Sequence, residues 1–207
     1  MACRGEHRPK QSRARREGGM TRVELHTLEI VSAASRPVLE RVIDASPGVG
    51  TLNLWAAMAE APATLDAYMA IRESIEAHAT FDPALRSAIA LAAAAATGGT
   101  YSTAINRRIA ARAGQSPEQI EAVRSATVDD PRLRSLLEVA REAAADRGVI
   151  ADATWGAAID AGWTTAELVE VFAIVALTWF VDGFAAFAQV PLDVPPRELT
   201  GAGTRST

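Results

Sequence analysis

Cysteine is almost absent from this chain of 207 residues, because Cys3 is the only one. A lone cysteine excludes an intrachain disulfide, a Cys-x-x-Cys couple and a metal cluster built on cysteines. Lysine is equally scarce: the single lysine is Lys10, close to the amino terminus. Schiff-base chemistry, which requires a lysine amine, is therefore excluded for the folded body.

Histidine is also rare, and His7, His26 and His78 are far apart in the sequence. Three scattered histidines make a poor metal site, so we predict no metal. His78 lies near the end of a predicted helix, where a basic side chain interacts favourably with the helix dipole; a catalytic role is the alternative. No nucleotide-binding loop or dinucleotide fingerprint is present, and we predict no cofactor.

Charge is distributed unevenly along the chain. The net charge is −4, yet residues 1–20 hold six basic residues against two acidic ones, so the rest of the chain is acidic. This segment has no aromatic residue and no apolar periodicity, which favours a disordered extension over a surface that binds nucleic acid or an anionic membrane. Without an apolar core it is not a secretory signal, so we expect a cytoplasmic location. Met20 is an alternative start.

The length and the apolar content of 49% fit one compact domain with a substantial core. We predict a basic tail over 1–20, one helical domain over 21–193 and a flexible tail over 194–207. The last apolar segment has an uncharged run of eleven residues, 171–181, which is too short to span a bilayer. We therefore expect a core helix and no membrane partner.

The segment 82–114, DPALRSAIALAAAAATGGTYSTAINRRIAARAG, predicts two helices around a Gly-Gly break. Asp82 before Pro83 is a helix start, since the carboxylate accepts from first-turn amides and proline lacks the N–H that would be free there. The alanines of 92–96 let neighbouring helices approach closely. After the break, Thr100 or Ser102 is the expected cap of the second helix, whose amino terminus would lie inside the core.

This segment resembles the signature of the alkylhydroperoxidase D-like (AhpD-like), carboxymuconolactone decarboxylase-type family. In that family a helix rich in small residues leads into a Cys-x-x-Cys, with a histidine one turn further on and a glutamate upstream. The cysteines fall on Gly99 and Ser102 here, the histidine on Asn106, and the glutamate at or beside Ser87. The resemblance extends over roughly residues 35–193. It implies an all-α, AhpD-like helical bundle with a helix–Gly-Gly–helix core and a long apolar C-terminal helix.

All four chemical positions of the family are substituted, so the resemblance transfers the fold without the thiol reaction. Ser102 would need a base to act as a nucleophile, and Asn106 cannot accept a proton. We expect Ser102 to cap a helix or to bind a ligand. Together with Tyr101 and Asn106 it forms a polar group suited to an anionic or carbonyl-bearing molecule.

Three further residues are site candidates. Asp182 lies between Phe180 and Phe184, and because an isolated buried carboxylate is costly, it should pair with an arginine or face a polar pocket as an acid or base. Trp55 and Trp179 are candidates to line a ligand pocket, with core packing as the alternative.

Three functions follow as hypotheses. The first is a family member that has lost the thiol peroxidase site and binds a small organic molecule in a helical pocket. The second is a cofactor-independent lyase or isomerase, similar to a decarboxylase, acting on a small carbonyl or carboxylate compound. The third is the nominal peroxidase or peroxiredoxin-type activity, which would have to use Cys3. The resemblance also implies a homo-oligomer: a dimer, a trimer or a hexamer.

Overall fold

The computed structural model describes residues 21–193, and these residues form helices without any strand. The predicted tails, 1–20 and 194–207, lie outside the described residues. The helices are α1 (Arg36–Asp44), α2 (Asn53–Met58), α3 (Pro62–His78), α4 (Pro83–Thr97), α5 (Thr100–Arg112), α6 (Pro117–Ser125), α7 (Pro131–Ala145), α8 (Asp152–Asp160) and α9 (Thr165–Ala188).

The central helix is α4, which packs against α5, α6, α7 and α9. Its small residues Ala92, Ala93 and Ala94 are fully buried, which allows this close approach from several sides. Asp82 caps the helix by accepting a hydrogen bond of 2.8 Å from the backbone N–H of Leu85. The helix predicted from the Asp82-Pro83 pair and the alanine run is confirmed.

Helices α1, α2 and α3 form a second layer with its own apolar cluster, which packs against α9. Leu39, Leu65 and Met69 have no exposed surface. Burying each such side chain contributes roughly 1.5 to 3 kcal/mol. Truncating Leu65 to alanine would cost about 2 to 5 kcal/mol, because the cavity left behind adds to the lost transfer energy.

Several helix starts are encoded by residues next to the helix. Ser116 and Gln119 form a capping box at α6, and Thr164 and Glu167 form another at α9. Asp130 accepts from the backbone N–H of Arg132 at the start of α7. These interactions satisfy the free amides of the first helical turns.

At two helix starts the acceptor comes from a distant part of the chain, and the second of them differs from the prediction. At α2 the N-cap residue is Leu52, and Asp193 accepts from the backbone N–H of Asn53 at 2.8 Å. Neither Thr100 nor Ser102 caps α5 with its side chain; the N-cap residue is Gly99, and the acceptor is Asp182. In each case the acceptor is a carboxylate that is distant in sequence, and not a hydroxyl beside the helix.

The last helix, α9, is long and apolar enough to cross a membrane by length and composition, contrary to the expectation drawn from its uncharged run. One third of its most apolar 18-residue window is buried against the other helices. Val169, Phe172 and Phe187 lie on its exposed surface. Helix α9 thus forms a wall of the core and also exposes large apolar side chains.

Candidate functional site

The break between α4 and α5 is made by two glycines with different roles. Gly98 adopts a left-handed conformation with φ of 73° and ends α4, a conformation that side chains disfavour. Gly99 follows with ordinary negative φ, and its N–H donates to the carbonyl of Ala94. The chain reverses here, so that the first turn of α5 lies inside the molecule.

The residues at the family's motif positions are linked to one another. The Ser87 hydroxyl on α4 donates to the Asn106 side-chain oxygen at 2.9 Å, and the Asn106 amide donates to the Ser102 carbonyl at 2.9 Å. Ser87, Ser102 and Asn106 all line one cavity, whereas Gly99 is not among its lining residues. None of the three polar side chains carries a charge or titrates near neutral pH, so this group provides hydrogen bonds and contains no acid or base.

Asp182 is expected from the sequence either to pair with an arginine or to face a polar pocket, and it does neither. Within residues 21–193 it forms no ion pair, and it does not line the cavity. Instead its Oδ1 accepts from the backbone N–H of Ser102 at 2.8 Å, while its Oδ2 is buried and has no hydrogen-bond partner. Burial raises the pKa of this carboxyl above its usual value, and the bond from Ser102 partly offsets the effect.

The side chain of Asp182 also explains why residue 99 is a glycine. A Cβ on Gly99 would lie 2.0 Å from Asp182 Oδ2 and 2.4 Å from its Cγ. Such distances are far inside van der Waals contact. Position 99 therefore has no room for a side chain while Asp182 keeps its place.

Tyr101 is a buried residue of the cavity wall whose hydroxyl makes two hydrogen bonds. Its hydroxyl donates to Asp193 Oδ2 and accepts from the backbone N–H of Leu54 at 3.2 Å. Burial, followed by the nearby negative charge of Asp193, raises the pKa of Tyr101 well above its usual range. Sequence reasoning missed Asp193, because nothing in the local sequence indicates that this segment returns to α2.

The cavity has a volume of about 460 Å³ and lies between the α1–α2 loop and helices α2, α3, α4, α5 and α9. This size lies in the range of sites for small organic ligands. Trp55 lines it and donates from its indole nitrogen to the Tyr68 hydroxyl at 3.3 Å. Most of the wall is apolar, through Val49, Leu52, Leu54, Ile75, Ala90, Ile105, Ile109, Ile174, Leu177 and Val181.

The charged residues of this wall are predominantly basic: four arginines and one glutamate, Glu76. Arg86 is paired with Glu76 at 2.7 Å, and Arg72 donates to the carbonyl of Ala45 at 3.0 Å. Arg108 and Arg112, one turn apart on α5, have no hydrogen-bond or ion-pair partner within residues 21–193. The wall therefore carries an excess of positive charge that suits an anionic ligand.

Trp179 lies away from this cavity. Its indole nitrogen donates to the carbonyl of Ala144 at 3.1 Å, and its ring meets Phe172 edge to face. It borders a shallow groove between α3 and α9 instead. The structure thus brings Trp55 together with Tyr101, Ser102 and Asn106, and separates Trp179 from them.

A smaller group of titratable residues lies elsewhere. Glu24, His26 and Glu60 place their ligand atoms within 4.8 Å of one another, and His26 Nε2 contacts Glu60 Oε2 at 2.7 Å. Both glutamates are exposed. The contact between His26 and Glu60 is an ordinary surface ion pair when the histidine is protonated, and it explains why these residues lie together.

Part of the chain matches a known protein family. Residues 62–142, which run from the start of α3 into α7, match the Carboxymuconolactone decarboxylase family. No curated protein sequence is significantly similar to the chain.

Solved structures share the fold of the chain at low sequence identity. An AhpD-core, peroxidase-related protein from Ralstonia eutropha JMP134 is 19% identical, with a TM-score of 0.71 over 84% of this chain and 94% of its own. The debrominase Bmp8 in complex with 2,3,4-tribromopyrrole is 18% identical, with a TM-score of 0.72 over 87% and 96%. A peroxidase-related protein from Silicibacter sp. TM1040 is 15% identical, with a TM-score of 0.69 over 95% and 98%.

Proposed function

We propose that the chain, which has an AhpD-like fold and matches the carboxymuconolactone decarboxylase family over residues 62–142, binds a small organic anion without thiol chemistry. The observation that carries this proposal is the cavity of about 460 Å³, whose wall contains Ser87, Ser102 and Asn106. These residues stand at three of the four positions where the family has reactive groups. A cavity lies at the positions of the family's reactive groups, and neutral side chains stand there instead.

The proposed loss of the peroxidase site rests on the residues of the α4–α5 break. Thiol-dependent peroxide reduction needs a reactive thiolate and, in this family's pattern, a second cysteine that resolves it. Gly99 and Ser102 supply neither, and Cys3 lies outside the described residues. Replacing Cys3 with serine should leave any peroxide consumption by the purified protein unchanged; a loss of that activity would support the peroxidase hypothesis instead.

The proposed ligand follows from the composition of the wall. An apolar surface with a few polar groups is typical of sites for small organic molecules. Arg108 and Arg112 add positive charge at one side without a protein partner among the described residues, so a carboxylate or similar anion would find its counter-charge there. The debrominase of similar fold holds a small brominated heterocycle, which supports a small organic molecule as the occupant.

Calorimetric titration with octanoate and with 1-octanol tests this proposal. Both have an apolar chain, and only octanoate carries the charge. We expect octanoate to bind about fivefold more tightly, which corresponds to roughly 1 kcal/mol from exposed ion pairs.

A pair of substitutions tests whether the cavity is the place of binding. Ala90→Phe should abolish binding because Ala90 lines the cavity, whereas Ala67→Phe, at the shallow groove, should not. Failure of both compounds to bind would contradict the proposal.

A cofactor-independent lyase or isomerase is the second candidate function. Proton transfer needs an acid or base within hydrogen-bond reach of the ligand, and the carboxylate in the cavity wall is Glu76. Turnover by a lyase should therefore be lost in Glu76→Gln and retained in Asp182→Asn. The reverse result would restore Asp182 as the acid or base of the sequence-based hypothesis.

We also propose that the protein is a cytoplasmic homo-oligomer. Val169, Phe172 and Phe187 give α9 an exposed apolar surface of the kind that associates with another protein. Sedimentation of the full-length protein tests this; a monomer at micromolar concentration would contradict it. Replacing Phe187 with serine should weaken the assembly if α9 forms the interface.

A further inference from the structure

The first turn of α5 is capped by a residue that is far away in sequence. A helix start leaves backbone N–H groups free, and a side chain just before the helix normally accepts from them. Gly99 occupies that place here and has no side chain. Asp182, on α9, supplies the oxygen instead, at 2.8 Å from the backbone nitrogen of Ser102.

The helix start also explains how a carboxylate is tolerated at this depth. Its partial positive charge stabilises an anion, and the hydrogen bond from Ser102 favours the ionised form. These contributions offset part of the cost of burial, although Oδ2 has no partner of its own. The position is thus a helix-start anion site that the protein fills with its own side chain.

We infer that Gly99 and Asp182 form one structural unit, in which the α9 carboxylate occupies the space of a residue-99 side chain and positions the Tyr101–Ser102 turn in the cavity wall. In the family pattern a cysteine stands at position 99. A cysteine there would need the space of Asp182, since its Cβ alone would lie 2.0 Å from Oδ2. The helix start that would stabilise a thiolate is already bound to a carboxylate. Thiol chemistry is therefore blocked by Asp182 as well as lost at Gly99, and this holds whether or not the cavity binds a ligand.

A double-mutant cycle tests this coupling. Gly99→Ala in the wild-type background should lower the melting temperature by at least about 4 °C, because the new Cβ displaces the carboxylate. In the Asp182→Ala background the same change should lower it by less than about half as much, because the space is empty. The matched control is Gly183→Ala, where a Cβ would meet nothing within 4 Å; it should behave alike in both backgrounds.

Two results would overturn the inference. One is that Gly99→Ala lowers the melting temperature equally with and without Asp182, and the other is that it lowers the melting temperature no more than Gly183→Ala does. Should Gly99→Ala fail to fold, the test becomes rescue. Recovery of soluble protein in the double variant supports the unit, and no recovery overturns it. Asp182→Asn keeps an oxygen that can accept from Ser102, so it should lower the melting temperature less than Asp182→Ala does.

The pH dependence of thiol alkylation tests the inference independently of protein stability. With Cys3 replaced by serine, Gly99→Cys introduces one thiol at the helix start. Its alkylation by iodoacetamide should have a pH midpoint at least about one unit lower in the Asp182→Ala background than with Asp182 present, since the amides then favour the thiolate and the carboxylate no longer repels it. Equal midpoints in the two backgrounds would overturn the inference.

Discussion

The Ser87 hydroxyl donates a hydrogen bond of 2.9 Å to the side-chain oxygen of Asn106, and this bond joins α4 to α5 beside the cavity. Asn106 in turn donates to the carbonyl of Ser102. Each group is neutral, so the arrangement fixes the wall of the cavity without providing a base. Ser87, at or beside the position of the family's glutamate, and Asn106, at the position of its histidine, thus meet here as neutral groups.

Replacing Asn106 with alanine should lower the free energy of unfolding by about 1 to 2 kcal/mol, because two hydrogen bonds are lost and the Ser87 hydroxyl is left without its acceptor. Urea denaturation measures the change. Thr103→Ala, on the same helix, is a suitable control, because Thr103 makes no side-chain hydrogen bond within residues 21–193. Equal effects of the two substitutions would show that the Ser87–Asn106 contact contributes little.

Tyr101→Phe should destabilise the protein by roughly 1 to 3 kcal/mol at pH 8, since Asp193 and the Leu54 amide both lose a buried partner. The wild type should also be the more sensitive to alkali. Its raised Tyr101 pKa means that the folded state holds the phenol proton more tightly than the unfolded state does. That contribution is complete below the unfolded pKa of about 10 and is lost as the pH rises above it.

Thermal denaturation between pH 8 and pH 11 checks this prediction. The melting-temperature difference between wild type and Tyr101→Phe should shrink above pH 10. A difference that stays constant over the whole range would contradict the account of Tyr101 as a buried, neutral phenol.

Asp182 should give the protein a stability that grows on acidification. Its folded pKa is raised, so the native carboxyl keeps its proton to higher pH than the unfolded one. The resulting stability is complete below the unfolded pKa and is lost as the pH rises through the folded value. Relative to Asp182→Asn, the wild type should gain melting temperature as the pH falls from 7 towards 4. A relative loss over that range would indicate an ion-paired carboxylate with a lowered pKa.

Arg108 and Arg112 should set the preference for anions. The double substitution to glutamine should remove most of the roughly fivefold advantage of octanoate over 1-octanol and leave the affinity for 1-octanol unchanged. Arg107→Gln is the matched control, because Arg107 lies on the same helix but does not line the cavity. Calorimetry of the three proteins decides it. An unaltered preference in the double variant would locate the anion site elsewhere.

The fold could be predicted in part because several helix starts are encoded by neighbouring residues. Asp82, Ser116 and Thr164 each cap a helix whose first turn follows directly in the sequence. Such caps depend on local geometry alone, so a single sequence contains the information. The family resemblance then supplied the arrangement of the helices, which periodicity does not determine.

The site was less predictable, because its key contacts join residues far apart in sequence. Asp182 caps α5 and Asp193 caps α2, and both are far away in the sequence; Asp182 takes the place that the sequence assigned to Thr100 or Ser102. An acid in an apolar helix correctly marked Asp182 as unusual. Its partner is the backbone N–H of Ser102, however, and no side-chain pattern reveals such a donor. Trp179 was misplaced for a similar reason, since helical spacing alone does not tell which side of α9 faces the cavity.

Whether this cavity is a binding site is tested most directly by native mass spectrometry of the protein purified from its own host, followed by denaturation and identification of any released molecule. We predict a small organic anion on the wild type and on Ala67→Phe, and none on Ala90→Phe, whose new ring takes up space in the cavity. Wild-type protein without a bound molecule under conditions that preserve complexes, or the same molecule retained by Ala90→Phe, would contradict the claim that this cavity is a binding site.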